Sequence, residues 1–129
     1  MQAHFPPSST VDEPQQLGLS LDQPRRASYK NDLGKPDMSL ISPYFKTDMA
    51  RALDEGAKKY GRDNWLKPGL NFCRVLAAAQ RHLTAWEAGE TNDPESGIPH
   101  LAHAACCLMM LHEYERRGLR GGEFDDRHF

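Results

Sequence analysis

The sequence predicts an all-α fold, an antiparallel helical bundle, on three observations. Three segments repeat apolar residues every three or four positions, each is bracketed by helix start and stop signals, and no segment alternates with the period of two that marks a half-buried strand. The first helix starts at Ser42-Pro43, a hydroxyl N-cap followed by a proline whose missing N–H costs nothing at that place. Its apolar face is Phe45, Met49, Leu53 and Ala57, and Gly61 ends it. The second starts near Asn71 and carries the stripe Phe72, Val75, Leu76, Ala79, Leu83 and Trp86. Gly89 closes it, because glycine takes the left-handed backbone that follows a helix without strain. The third starts around Pro99, with Ser96 or Ile98 as its cap, buries Leu101, Ala104, Ala105, Leu108 and Leu111, and stops at Gly118.

The flanks differ from this middle part. Residues 1–28 are rich in Pro, Gln and Ser and too poor in large apolar groups to offset the entropy of ordering, so they are expected to form an arm, flexible or docked on a partner subunit. The helical domain is then 29–117, and 118–129 is a polar tail expected to be loose. Three helices of about five turns make a thin core. Met109, Met110 and Tyr114 widen the apolar surface of the third helix, so subunits are expected to complete one another's core in a homo-oligomer.

Charge and composition exclude several classes. Sixteen Lys and Arg against eighteen Asp and Glu give a net charge of −2, which does not suit a coat for polymeric nucleic acid. No apolar run reaches the length of a membrane span, and Met1 to Pro7 lacks a basic stretch followed by an apolar one, as a secretory signal requires. The cysteines number three, and Cys106 and Cys107 are neighbours that point to different faces of a helix. A disulfide framework is therefore not expected, and a reducing cytoplasm fits.

The chemistry is concentrated in Gly89 to His103. Glu90, Asp93 and Glu95 crowd three carboxylates into six residues, an arrangement that repels itself unless a cation sits within it. His82 lies eight residues before Glu90, and His103 lies eight after Glu95. On antiparallel helices both rise about 12 Å from the turn and should face each other, with Trp86 and His100 opposed one turn lower. Oxygens from Glu90, Asp93 and Glu95 would suit Mg²⁺ or Mn²⁺, and His82 or His103 could orient a water or take its proton. Two other readings stand beside this one. Asp93 to Gly97 can be a plain solvated turn, and His100, His103 and His82 can form a zinc site. Lys58 and Lys59 complement the dipole at the end of the first helix, or receive a polyphosphate. Asn64 can read a base edge, Trp65 or Tyr60 can stack on a base, and Arg81 can meet a phosphate or be a surface charge. Residue types alone give the loop containing Lys30 and Lys35 no role.

Four elements occur in order: Asn31-Asp32-x-Gly34-Lys35-Pro36; Gly56-Ala57-Lys58-Lys59-Tyr60-Gly61-x-x-Asn64-Trp65; Arg81-His82-Leu83; and Gly89-Glu90-x-x-Asp93-x-Glu95-Ser96-Gly97-x-Pro99-His100-Leu101-Ala102-His103-Ala104. Together, over about residues 29–117, they resemble the phage dATP/dGTP diphosphohydrolase family, which is similar to the MazG-like all-α nucleotide pyrophosphohydrolases. The resemblance implies a homodimer or homotetramer that cleaves a purine deoxynucleoside triphosphate to the monophosphate and pyrophosphate with Mg²⁺ or Mn²⁺, two or three ions per site. MazZ-like members act on dGTP, and the dGMP feeds 2-aminoadenine DNA synthesis in the host cytoplasm. On that reading Lys35, Lys58 and Lys59 are expected to balance the leaving group, Asn64 and Trp65 to contact the base, and Arg81 and His100 to belong to the substrate site. One departure is plain. Glu87-x-x-Glu90 satisfies the ExxE half of the MazG-like metal motif, but His100-x-x-His103 replaces ExxD. The ligands are therefore expected at Glu90, Asp93 and Glu95, with Glu87 a weaker candidate. The rival readings are a non-enzymatic helical module that binds a nucleotide or partner protein, and a zinc-type triphosphohydrolase.

Overall fold

A computed structural model describes residues 30–128, so the expected arm at 1–28 lies outside the described residues. The described residues up to Asp37 and those from Met38 onward belong to two separate units. In the first, the Lys35 N–H donates to the Asp32 carbonyl over 3.0 Å, and Gly34 supplies the positive φ of a tight turn. The second part is helical, in the order 3₁₀ turn (Met38–Leu40), α1 (Pro43–Tyr60), an irregular wide turn (Trp65–Gly69), α2 (Phe72–Glu87) and α3 (His100–Arg116). Extended pairing among the described residues is confined to a single bridge between Asn92 and Pro99. The all-α expectation holds.

Helix ends follow local chemistry. The Phe45 N–H donates to Ser42 Oγ at 3.3 Å with Pro43 as the first helical residue, and Gly61 at φ +95° ends α1. Gly89 at φ +105° follows the last turn of α2, and Pro99 stands at the cap of α3.

The buried faces differ from the expected stripes. α3 packs against both α1 and α2, so it buries two narrow faces and not one broad one. Towards α1, Ala102 and Cys106 close on Ala52 and Ile98, with Met49 and Leu53 beside them. Towards α2, Tyr114 closes on Phe72 and Val75. Leu101 and Leu108, expected in the core, are exposed, as are Leu76, Leu83 and Trp86 of the α2 stripe and Phe45 of α1. Against α1 the helix fits closely through small side chains, Ala102 and Cys106, whereas towards α2 it buries the large Tyr114.

The tail corrects a second expectation, because it is not loose. Phe124 packs with Phe72 and Tyr114, and its carbonyl accepts the Phe72 N–H at 2.9 Å. Asp126 Oδ1 accepts the Cys73 N–H, also at 2.9 Å. Asn71 makes no side-chain cap, so the first amides of α2 need outside acceptors, and the tail provides them. Arg127 lies 5.3 Å from the Phe72 ring centroid, and its two hydrogen bonds hold the Asp125 carboxyl well below the usual carboxylate range. Two phenylalanines, Phe124 and Phe129, among polar residues gave little sign of this docking.

Candidate functional site

The turn between α2 and α3 is shaped by its own backbone. The Asp93 N–H donates to the Ile98 carbonyl and the His100 N–H to the Thr91 carbonyl, each over 2.9 Å. Asp93 Oδ1 accepts the Glu95 N–H at 2.9 Å, and Ser96 Oγ accepts the Ile98 N–H at 3.1 Å. This closed loop delivers His100 and His103 on the first turn of α3, opposite His82 on α2.

The three imidazoles form one group. His82 stacks on His103 with ring centroids 4.6 Å apart and planes within 8°. His82 Nδ1 lies 2.9 Å from His100 Nδ1. On the far side of its ring, His100 Nε2 lies 2.7 Å from Glu90 Oε1. A carboxylate only accepts, so Nε2 carries a proton, and in the tautomer with that proton alone Nδ1 keeps its lone pair. His103 Nε2 is 2.8 Å from Ser96 Oγ and 3.8 Å from Asp93 Oδ2. Burial, then the neighbouring His103 and His100, push the pKa of His82 down. Burial lowers that of His103 as well, against an upward pull from Asp93. Both rings are therefore neutral at pH 7 and keep a lone pair for a proton or a metal.

His82 and His103, expected as the acid–base pair, also line a cavity of about 520 Å³. Asn64 and Trp65, expected at the base, line the same cavity, together with Tyr60 and Arg62. Met109 and Met110 supply apolar wall that periodicity had not marked as part of a site. Ser96 was readable as a cap but not as the partner of His103, although its place seven residues before His103 was a signal.

The expected carboxylate cage is not formed. Glu90 bends onto His100, Asp93 stays within the turn, and Glu95, with a side chain 77% exposed, reaches Lys59 at 4.0 Å. The bond from the Glu95 N–H to Asp93 fixes the turn so that the two side chains diverge. Among the described residues, the donors that do converge are His82, Asp93 and His100, whose ligand atoms lie within 4.8 Å of one another. His100, expected to face substrate, is only 5% exposed and has both nitrogens engaged, so it stands behind the site. It also meets His82 where Trp86 was expected, because α3 begins only after the Asn92–Pro99 bridge. Lys58, Lys59 and Arg81 are exposed and do not line the cavity. Glu87 is exposed at the end of α2, and Lys35 lies in the preceding segment.

A family model described as "dATP/dGTP diphosphohydrolase, N-terminal" matches residues 25–127. A curated protein named dATP/dGTP diphosphohydrolase, from Salmonella phage PMBT28, is 45% identical over 82 residues. That stretch is 64% of this chain and 28% of the relative, so the match spans little more than a quarter of the relative's length. No solved structure matches.

Proposed function

The chain belongs to the dATP/dGTP diphosphohydrolase family, and on that footing we propose that it hydrolyses a purine deoxynucleoside triphosphate, preferentially dGTP, to the monophosphate and pyrophosphate. The observation that carries this reading is the cavity that joins Asn64 and Trp65 to His82 and His103. Its volume of about 520 Å³ suits a nucleotide-sized ligand. Trp65 offers an aromatic face for a purine, and the Asn64 amide carries both a donor and an acceptor for its edge. His82 and His103 line the same cavity, and the neutral imidazole that is not holding an ion takes the proton of the attacking water and keeps it as the α–β bond breaks. Lys58, Lys59 and Arg62 lie on the first helix and the turn that follows it, and their charge favours approach of a triphosphate.

The reaction as proposed uses Mg²⁺ or Mn²⁺. When bound, a divalent ion offsets phosphate charge and lowers the pKa of a water. The ligand atoms of His82, His100 and Asp93 lie within 4.8 Å of one another, and this donor set suits Mn²⁺ better than Mg²⁺. In a phage that builds 2-aminoadenine into its DNA, the dGMP product would supply that synthesis. Leu76, Leu83, Leu101 and Leu108 are exposed on the two helices of one hairpin, which supports assembly as a homodimer or homotetramer. No described helix is long and apolar enough to cross a membrane.

The test is a panel of deoxynucleoside triphosphates with Mg²⁺ or Mn²⁺ and chromatographic separation of products. Formation of dGMP and pyrophosphate supports the proposal, whereas release of intact triphosphate rejects it. A second reading, a nucleotide-binding module without turnover, draws on the large part of the relative outside the match. Binding of dGTP with no product would favour that reading.

A further inference from the structure

We propose that His82, His100 and Asp93 form a site for a single first-row transition-metal dication, with Glu90 orienting His100, in place of an all-oxygen magnesium centre. The proposal concerns the same site as the hydrolysis proposed above and rests on that reading only for the ion's role in the reaction. Three observations carry it.

The first is spacing. His82 Nδ1 and His100 Nδ1 are 2.9 Å apart. Two imidazole nitrogens each about 2.1 Å from one metal, at right angles, are about 3 Å apart. Asp93 completes a set of ligand atoms within 4.8 Å, so small side-chain adjustments bring all three onto one ion.

The second is orientation. Glu90 lies 2.7 Å from His100 Nε2, on the side of the ring away from His82, and fixes the proton there. With that proton alone on the ring, the Nδ1 lone pair faces His82 Nδ1 from a ring that is 95% buried. A metal-bound histidine commonly has a carboxylate on its other nitrogen in this way. Glu90 therefore acts through His100 and is a positioning residue.

The third is donor type. Two imidazoles and one carboxylate suit Mn²⁺, Co²⁺ or Zn²⁺, whereas Mg²⁺ seeks oxygen donors and keeps its waters. The carboxylates that would make an oxygen cage are engaged elsewhere, Glu95 beside Lys59 and Glu90 on His100. Three protein ligands leave coordination positions free. His82 also lines the cavity, so those positions are within reach of a ligand bound there. His103 is held by Ser96 and is left for proton transfer.

The competing account is a simple hydrogen bond in which the His82 Nδ1–H donates to His100 Nδ1. Calorimetric titration of the metal-stripped full chain separates the two, with Co²⁺, Mn²⁺ and Mg²⁺ alone as probes and the visible absorption of Co²⁺ as a second readout. The expected result is one Co²⁺ per chain, weaker Mn²⁺ binding, and Mg²⁺ binding weaker than Co²⁺ by at least about 100-fold. His82→Ala and Asp93→Asn should each abolish the absorption band. Glu90→Gln should weaken binding by about 10- to 100-fold. Glu95→Gln should leave binding unchanged. If His100→Ala does not fold, the variants at the half-buried His82 and Asp93 decide the question. No stoichiometric Co²⁺ site, or a site indifferent to His82→Ala and Asp93→Asn in folded protein, overturns the proposal. Turnover of dGTP with Mg²⁺ in a protein lacking the Co²⁺ site would sink this inference and keep the hydrolysis. A filled site without turnover would do the reverse.

Discussion

The Tyr114 hydroxyl donates a hydrogen bond to the backbone carbonyl of Trp65, so a residue near the end of α3 sets one wall of the cavity. Tyr114 is fully buried and stacks on Phe72 with centroids 4.9 Å apart. The wide turn that Trp65 opens breaks helical geometry at Lys67, so its carbonyls need partners from elsewhere. Tyr114→Phe removes the donor and keeps the ring. It should cost about 1–2 kcal/mol and lower the melting temperature by several degrees. In turnover assays, KM for dGTP should rise more than kcat falls, because Trp65 loses its support.

Acid should weaken the metal-free protein through His82 and His103. Both have pKa values below the ordinary 6.5 in the folded state. Above pH 6.5 both folded and unfolded chains carry neutral rings, and the stability is complete. As pH falls below 6.5 the unfolded chain takes up protons first, and stability declines until pH has passed the lowered folded-state pKa values. Urea midpoints measured from pH 8 to pH 5 should therefore fall, and His103→Gln should flatten the profile. A midpoint that climbs on acidification would show that the rings have gained anionic partners.

Cys106 should be chemically silent in the native protein. Burial pushes its thiol up to about 12, and its S–H donates to the Met49 carbonyl at 3.4 Å. A thiol reagent at pH 8 should leave Cys106 unmodified until denaturant is added, as read by peptide mass spectrometry. Rapid modification of the folded chain would mean that the α1–α3 contact opens readily.

Gly69 and Phe124 form a second testable pair. Gly69 has φ +116°, and a Cβ there would stand 3.1 Å from the Phe124 ring. Gly69→Ala should cost about 1–3 kcal/mol from backbone strain and crowding together. Phe124→Ala removes the crowding only. The double variant should therefore lose less stability than the sum of the singles, in a thermal double-mutant cycle.

Helix limits were legible where capping is local, at Ser42-Pro43, Gly61 and Gly89, whereas α3 starts after Pro99 with no side-chain cap, so Ser96 and Ile98, expected as its cap, do not cap it. Buried faces were less legible, since the side α3 hides depends on having α1 and α2 on two sides at once. The meeting of His82 and His103 followed from antiparallel spacing and holds. The carboxylates did not follow, because loop side chains are aimed by bonds such as Glu95 N–H to Asp93 and by Lys59 arriving from α1. Docking of the tail was hidden for a similar reason: the amides that anchor it belong to Phe72 and Cys73, some fifty residues away.

The bridge between Asn92 and Pro99 makes the loop before α3 a jig of set perimeter. An extra residue that breaks this pairing shifts the start of α3, and with it His100 and His103. Pro94 and Glu95, at the exposed tip, face no such demand. Evolution and engineering alike are thus free to respell this loop, and to lengthen its tip only where the pairing at its base survives.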